Sequence, residues 1–134
     1  MTSGALLEEE TTNQIVGAFF DVYNTLGFGF LEHVVAEALE RELVERARMV
    51  QKEVAVSVWY KGIILSAQSV DMIVDDRVVV EIESTEVLAP TAQRQILSYL
   101  RATSFQVGLL LHFGPKPRFS RVVHSQKTSS ALIR

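Results

Sequence analysis

The sequence predicts an α/β or α+β domain in which a central mixed β-sheet is flanked by helices, in the order α-α-β-β-β-α-β. Three observations predict this fold. Two early segments repeat apolar residues with helical spacing, the middle of the chain alternates apolar and polar residues as strands do, and residues 107–113 form a continuous apolar run. Such a run is typical of a strand that is covered on both faces. Because no repeat or linker interrupts these signals, we expect one domain over residues 1–134.

Three helices are predicted. Two precede the first strand along the chain, and the third lies between the third and fourth strands. The first runs from Thr12 to Leu26 and ends at Gly27-Phe28-Gly29, because two glycines so close disfavour a helix and permit a tight turn. The second runs from Leu31 to Arg48 with a buried apolar stripe, and the third runs from Pro90 to Ala102.

The strands are predicted from alternating or continuous apolar residues. Lys61-Gly62 supplies the turn between the first two strands. The four predicted strands, with a short fifth strand at the sheet edge, are Val54–Tyr60, Ile63–Val74, Val78–Ser84, Val107–Phe113 and Arg118–Val123.

Composition narrows the class of protein. Hydrophobic residues make up 48% of the chain, which is enough for a folded core, expected over residues 12–123 with flexible ends at 1–11 and 124–134. The chain has no cysteine, so disulfides and thiolate metal sites are excluded. No apolar run is long enough for a membrane span, and the first ten residues carry no basic residue, unlike a secretory signal. We therefore expect a cytoplasmic protein with no membrane association.

The charge is unevenly distributed. The net charge is −3, yet residues 114–134 contain no acid and five basic residues, which are Lys116, Arg118, Arg121, Lys127 and Arg134. This basic end is either an arm that contacts phosphates or a solvated tail, and charge alone favours the tail.

Three acids near the centre of the chain are the main candidates for chemistry. Glu81 and Glu83 are two residues apart on a predicted strand and therefore share a face. With a three-residue loop at residues 75–77, Asp71 lies directly across from Glu81 on the preceding strand. A two-residue loop would instead place them on opposite faces. Carboxylates grouped in this way form oxygen sites for a hard cation such as Mg²⁺, whereas the alternative is an exposed polar face.

Further candidates lie on the helices. Glu32 falls on the apolar part of the second helix, where an acid needs a partner or a metal, or else it is a first-turn glutamate favoured by the helix dipole. Gln95 and Tyr99 share a helix face and could bind a phosphate or orient a side chain, although a surface glutamine beside a partly buried tyrosine is the plainer interpretation.

Several other chemistries lack their residue patterns. His33, His112 and His124 have no metal-ligand spacing among themselves. The chain has no phosphate-binding loop of the G-x-x-x-x-G-K-[ST] type and no nucleophile elbow around a serine.

Together these elements resemble the GxxExxY proteins, a bacterial branch of the PD-(D/E)xK nuclease-like superfamily. The resemblance covers about residues 12–123. Gly29 and Glu32 match the naming motif, while Val35 takes the place of its tyrosine. The segment Glu81-Ile82-Glu83 takes the place of the superfamily's Glu-x-Lys, and Gln95 with Tyr99 matches the Q-x-x-x-Y element of related nucleases.

The resemblance implies a divalent-metal nuclease that acts on DNA or RNA. It implies a Mg²⁺ or Mn²⁺ site formed by Glu32, Asp71, Glu81 and the Ile82 carbonyl, with Gln95 and Tyr99 as positioning residues. Glu83 would then be a general base or an extra ligand, and Lys52 or Lys61 is a candidate for the missing positive charge. The alternatives are a non-catalytic module that binds nucleic acid or protein through the same fold, and a subunit that works as a homodimer or with a protein partner.

Overall fold

A computed structural model describes residues 6–124 of the chain. Within this range the elements are α1 (Glu9–Leu26), α2 (Glu32–Glu45), β1 (Val50–Tyr60), β2 (Ile63–Val74), β3 (Val78–Glu83), α3 (Ala92–Ala102), β4 (Val107–Phe113) and β5 (Pro117–Val123). The predicted fold class and element order are confirmed, and β5 is the edge strand expected near residue 118. No helix in the described part of the chain is long and apolar enough to cross a membrane.

The five strands form one mixed sheet in the order β1-β2-β3-β4-β5. Neighbouring strands are antiparallel except β3 and β4, which are parallel. Helix α3 makes the crossover between them, because two parallel neighbours cannot be joined by a tight turn. The sheet is therefore mixed, as predicted.

Each face of the sheet has its own apolar core. Helices α1 and α2 cover one face, where Phe19 and Leu39 pack with Val80 and Phe113. Helix α3 covers the other face, where Ile96 and Tyr99 pack with side chains of the four strands β1–β4. Every residue of β4 is buried, as expected for its continuous apolar sequence.

The element ends differ from prediction in the helices and at the start of β1, which begins at Val50, four residues before the predicted Val54. Helix α1 begins at Glu9, three residues before Thr12, and α2 is shorter than predicted at both ends. Leu31 precedes α2 and is 69% exposed, so its predicted place in the buried stripe is wrong. Of the predicted flexible ends, residues 1–5 and 125–134 lie outside the described residues, as do Lys127 and Arg134 of the basic end.

The loop between β2 and β3 sets the register on which the acidic site depends. Val74 pairs with Val78, so the loop has three residues, which settles the choice between two and three residues that the sequence left open. Asp75 and Asp76 both adopt positive φ, at 56° and 53°, a conformation that aspartate tolerates better than most residues. The Asp75 carboxylate accepts hydrogen bonds from the backbone N–H of Met49 and the side chains of Arg48 and Thr11, which fixes the loop.

These contacts predict a pH-dependent contribution to stability. Burial alone would raise the pKa of Asp75, but the Met49 N–H, Arg48 and Thr11 together lower it. A lowered carboxyl pKa stabilises the fold above the unfolded value of about 4, and this stabilisation is lost as the pH falls through the folded value. We expect Asp75→Asn to lower the free energy of unfolding by about 1–3 kcal/mol at neutral pH. Urea melts at pH 7 and pH 3 should show this difference shrinking at the lower pH; an equal difference at both would contradict it.

Candidate functional site

Asp71 and Glu81 meet where β2 and β3 begin to separate. The ladder between these strands includes Met72 and Val80, and the two acids occupy the next position in the same register. At this position the carboxylate side chains, instead of backbone carbonyls, accept the hydrogen bonds from the opposite strand. The N–H of Asp71 donates to Glu81 Oε2 at 2.8 Å, and the N–H of Ile82 donates to Asp71 Oδ2 at 2.7 Å. One oxygen of each carboxylate is therefore held by the main chain of the opposite strand.

The regular alternation of β2 breaks at Asp71. Val70 and Ile73 both pack in the core under α3, although residues three apart on a regular strand face opposite sides. On β1, Lys52 pairs with Met72 and Val54 with Val70, so Glu53 lies between these pairs, across from Asp71, with a φ of 52°. The expectation that Asp71 and Glu81 share one face assumed an alternation that β2 does not keep here.

An open pocket of about 620 Å³ lies between α2 and the strands at this point. Its lining comprises Leu31, Glu32, His33, Ala36, Glu37, Lys52, Glu53, Ser69, Asp71 and Ile82. Three of the four predicted metal-site residues line it, namely Glu32, Asp71 and Ile82. Glu81 is 7% exposed and is not part of the lining.

Glu32 reaches the site from the start of α2. It is exposed and is the first residue of the helix, so its predicted burial is wrong and the first-turn interpretation is correct. Glu32 Oε2 accepts a hydrogen bond of 3.3 Å from the N–H of Ser84, and Ser84 Oγ donates to the Phe30 carbonyl. The loop before α2 includes Gly29 at a φ of 117°, which favours glycine. This loop therefore anchors Glu32 to the end of β3.

Glu83 is half-buried near the end of β3 and pairs in register with His112 on β4. The His112 side chain is 5% exposed, and its Nε2 lies 2.8 Å from the Thr85 carbonyl. Because a carbonyl oxygen only accepts, Nε2 must carry the hydrogen. His112 therefore ties the segment after Glu83 to β4, an interaction that the spacing of histidines in the sequence does not suggest.

Gln95 and Tyr99 share a face of α3, as their spacing predicted, and their exposures fit the plainer interpretation of a surface glutamine beside a buried tyrosine. Gln95 is exposed on α3, and its Nε2 donates to Tyr99 Oη at 2.9 Å. Tyr99 is only 2% exposed. Burial raises the pKa of Tyr99, and the charges of Glu81 and Asp71 raise it further, so the phenol lies within electrostatic reach of both acids.

The carboxylates raise one another's pKa values. Burial, then the charge of Asp71, raises the pKa of Glu81 to about 8. Burial raises the pKa of Asp71, with the charges of Glu32 and Glu53 adding to the effect. Burial also raises the pKa of Glu83, again with contributions from Glu32 and Asp71. Each of these acids is therefore harder to ionise in the folded chain, first because burial disfavours its charged form and then because other carboxylates lie nearby.

The two lysines proposed to supply that charge lie in different places. Lys52 lines the pocket, but its Nζ is 2.9 Å from Glu40 Oε1 and is therefore already paired. Lys61 lies in the turn between β1 and β2, 5.3 Å above the ring of Tyr60. Ten residues of strand separate Lys61 from Asp71, which amounts to about 30 Å. Lys61 of the same chain therefore cannot act at this site.

The donor set is chemically suited to a hard divalent cation, since it consists of carboxylates and a backbone carbonyl. A bound cation would favour the charged forms of Asp71, Glu81 and Glu83, whose pKa values are raised by burial and by neighbouring carboxylates. Within residues 6–124, however, no group of three or more His, Asp or Glu side chains converges in a metal-binding arrangement. The residues fit a metal by chemistry, while their side chains are not gathered around one point.

Comparison with known proteins supports the fold and the superfamily. A family model described as the PD-(D/E)XK nuclease superfamily matches residues 9–122, a range that contains all the predicted site residues. A search of curated proteins found no significant match.

Two solved structures are similar to this chain. The structure titled "Crystal structure of SSO0001" has a TM-score of 0.56 at 17% identity, covering 75% of this chain and 53% of that one. An alkaline exonuclease (LHK-Exo) from Laribacter hongkongensis has a TM-score of 0.49 at 14% identity, covering 69% of this chain and 56% of that one. The chain thus spans just over half the length of each. At this identity, the first similarity supports the fold alone.

Proposed function

Because the chain belongs to the PD-(D/E)XK nuclease superfamily, we propose that it is a divalent-metal-dependent nuclease that hydrolyses phosphodiester bonds in DNA or RNA. The observation that carries the proposal is the interlocked pair Asp71 and Glu81, held by main-chain N–H groups beside an open pocket. Within the superfamily we place it in the GxxExxY branch, on the basis of Gly29 and Glu32.

Each predicted site residue has a role in this proposal. Glu32, Asp71, Glu81 and the Ile82 carbonyl would hold Mg²⁺ or Mn²⁺. The bound ion would lower the pKa of a water molecule and offset charge that develops on the phosphate. The bond from the Ile82 N–H fixes the orientation of the Asp71 carboxylate.

The remaining residues move a proton or hold the site in place. Glu83 is half-buried with a raised pKa, so its carboxylate is a suitable general base for a proton released by water. Gln95 acts from the surface and orients Tyr99, whose burial makes it a positioning residue behind Glu81.

A second candidate function follows from the residue at position 83. Glu83 stands where the superfamily motif has a lysine, and Lys52 is paired with Glu40. The acids therefore lack the cation that the motif supplies. This favours, as the alternative, a non-catalytic module that binds nucleic acid or protein, alone or with a partner.

The test is cleavage of end-labelled single-stranded and double-stranded DNA and RNA by the purified full chain. We expect cleavage in Mg²⁺ or Mn²⁺ that stops when EDTA is added and resumes when excess metal is restored. Calorimetric titration of Mn²⁺ into the same protein should show binding that Asp71→Asn weakens at least about tenfold. Absence of cleavage on all four substrates, together with nucleic-acid binding, would instead support the non-catalytic module.

A further inference from the structure

In the described part of the chain, the first half of strand β2 pairs with a neighbouring strand on one edge and with none on the other. Strand β1 pairs with β2 from Ile63 to Val74, whereas β3 pairs only with Met72, Ile73 and Val74. On the β3 side, residues 63–69 therefore have no strand partner in the part of the chain that the structure describes. No backbone hydrogen bond outside the ladders involves these residues either. The outer half of the β1–β2 hairpin thus extends beyond the sheet with free N–H and C=O groups.

This edge lacks the features that normally protect exposed strands. Natural edge strands carry charges, prolines or covering segments that block pairing with another chain. Residues 62–70 contain no charge and no proline in a chain that is 22% charged. The apolar side chains at the outer end are well exposed, at 64% for Ile63, 49% for Ile64 and 63% for Leu65. The adjoining Tyr60 is 56% exposed.

We propose that this edge of β2 binds the same edge of a second copy of the chain, antiparallel about Ser66. The charges at the two ends of the uncharged run favour this partner and this direction. Lys61 lies at one end, and Asp71 with Glu53 across from it lies at the other. Antiparallel self-pairing brings the basic end of each copy towards the acidic end of the other, whereas parallel pairing would bring like charges together.

In a two-fold interface, residue i of one copy contacts residue j of the other and j contacts i, so only the residue on the axis, Ser66, lies opposite its own symmetry mate. Between the two charged ends, no pairing of residues 62–70 with themselves opposes like charges. The exposed Ile63, Ile64 and Leu65 become covered by the partner strand, and the two five-stranded sheets become one continuous sheet. The assembly also directs the partner's Lys61 towards the end of β2 that holds the acidic site. The inference does not rest on nuclease activity.

The mass of the full chain in solution tests the interface. Sedimentation equilibrium from 1 to 100 µM should give twice the monomer mass of 15.0 kDa at the upper concentrations. Leu65→Lys places like charges on both copies at the pairing strand, so it should raise the dissociation constant at least about tenfold. Val87→Lys is the matched control, because Val87 is 78% exposed and lies in the loop after β3. A monomer throughout the range, or equal weakening by both variants, would overturn the proposal.

Cysteine cross-linking tests the two-fold axis, since the natural chain has no cysteine to interfere. Ser66→Cys should form a disulfide-linked dimer on mild oxidation, because Ser66 lies opposite its own symmetry mate. Ile64→Cys and Gln68→Cys should give only the background yield, because each is offset from its mate by four residues, about 13 Å along the strand. Ser98→Cys, on the exposed side of α3, measures random collision. A Ser66→Cys yield no higher than that of Ser98→Cys would also overturn the proposal, whether or not the chain cleaves nucleic acid.

Discussion

Glu81→Gln is expected to reduce metal-dependent cleavage at least about a hundredfold, while making the metal-free protein more stable by about 1–3 kcal/mol. Both effects follow from one carboxylate. As a metal ligand, the Glu81 carboxylate would have to be ionised. In the metal-free fold Glu81 is 7% exposed and close to Asp71, so its negative charge is unfavourable. Glutamine keeps an oxygen that can accept the Asp71 N–H, so the substitution removes the charge and retains the hydrogen bond.

The pH dependence of stability gives the sign of this effect. Burial, followed by the charge of Asp71, raises the pKa of Glu81 to about 8, compared with an unfolded value of about 4.3. The unfolded chain therefore releases this proton at a lower pH than the folded chain does. Stability should fall as the pH rises from about 4 to 8 in the wild-type protein, and less so in Glu81→Gln.

Denaturant melts in EDTA at pH 5, 7 and 8.5 measure the stability of both proteins, and the cleavage assay measures activity. Glu86→Gln is the control, because Glu86 is an exposed glutamate in the loop after β3. It should change neither quantity. A destabilised Glu81→Gln with unchanged pH dependence would show that Glu81 carries no buried charge, and full activity in that variant would remove it from the proposed site.

The sequence predicted the part of the site that depends on local chemistry. The sequence left the length of the loop at residues 75–77 open, but it predicted that a three-residue loop would place Asp71 across from Glu81, and the structure has that loop. The i,i+4 spacing of Gln95 and Tyr99 likewise predicted that they share a helix face, on which the structure shows a hydrogen bond between them. In each case the relevant partners are close along the chain or are related by a short turn.

What the sequence did not predict depends on departures from regular geometry. The register of β1 and β2 shifts between Val58 and Trp59, so counting from the turn at Lys61 does not place Glu53 opposite Asp71. The positive φ of Glu53 could not be predicted, because nothing about a glutamate indicates a left-handed backbone conformation. Glu32 was expected to be buried because it falls on an apolar stripe, and such a stripe does not show at which residue the helix begins. His112 joins the site only through the parallel pairing of β3 with β4.

Glu83→Gln is expected to lower cleavage about a hundredfold or more, while Glu83→Lys should stay within about tenfold of the wild-type rate. Glutamine supplies neither a base nor a positive charge. Lysine supplies the cation that the superfamily motif has at this position, next to acids whose pKa values are raised by burial and by neighbouring carboxylates. Because Glu83 is half-buried near the end of β3, the longer side chain has room to extend towards solvent.

The same pair of variants separates the two candidate functions. Single-turnover rates in Mn²⁺ should rank wild type and Glu83→Lys well above Glu83→Gln, with Glu86→Lys as the control for added charge. If the wild-type chain is inactive and Glu83→Lys cleaves, the natural protein is a binding module on a nuclease fold, since one cation is then all that the site lacks. If instead Glu83→Gln keeps the full rate, Glu83 has no part in the reaction, and the proposed metal ligands Asp71 and Glu81 would act without a base from β3.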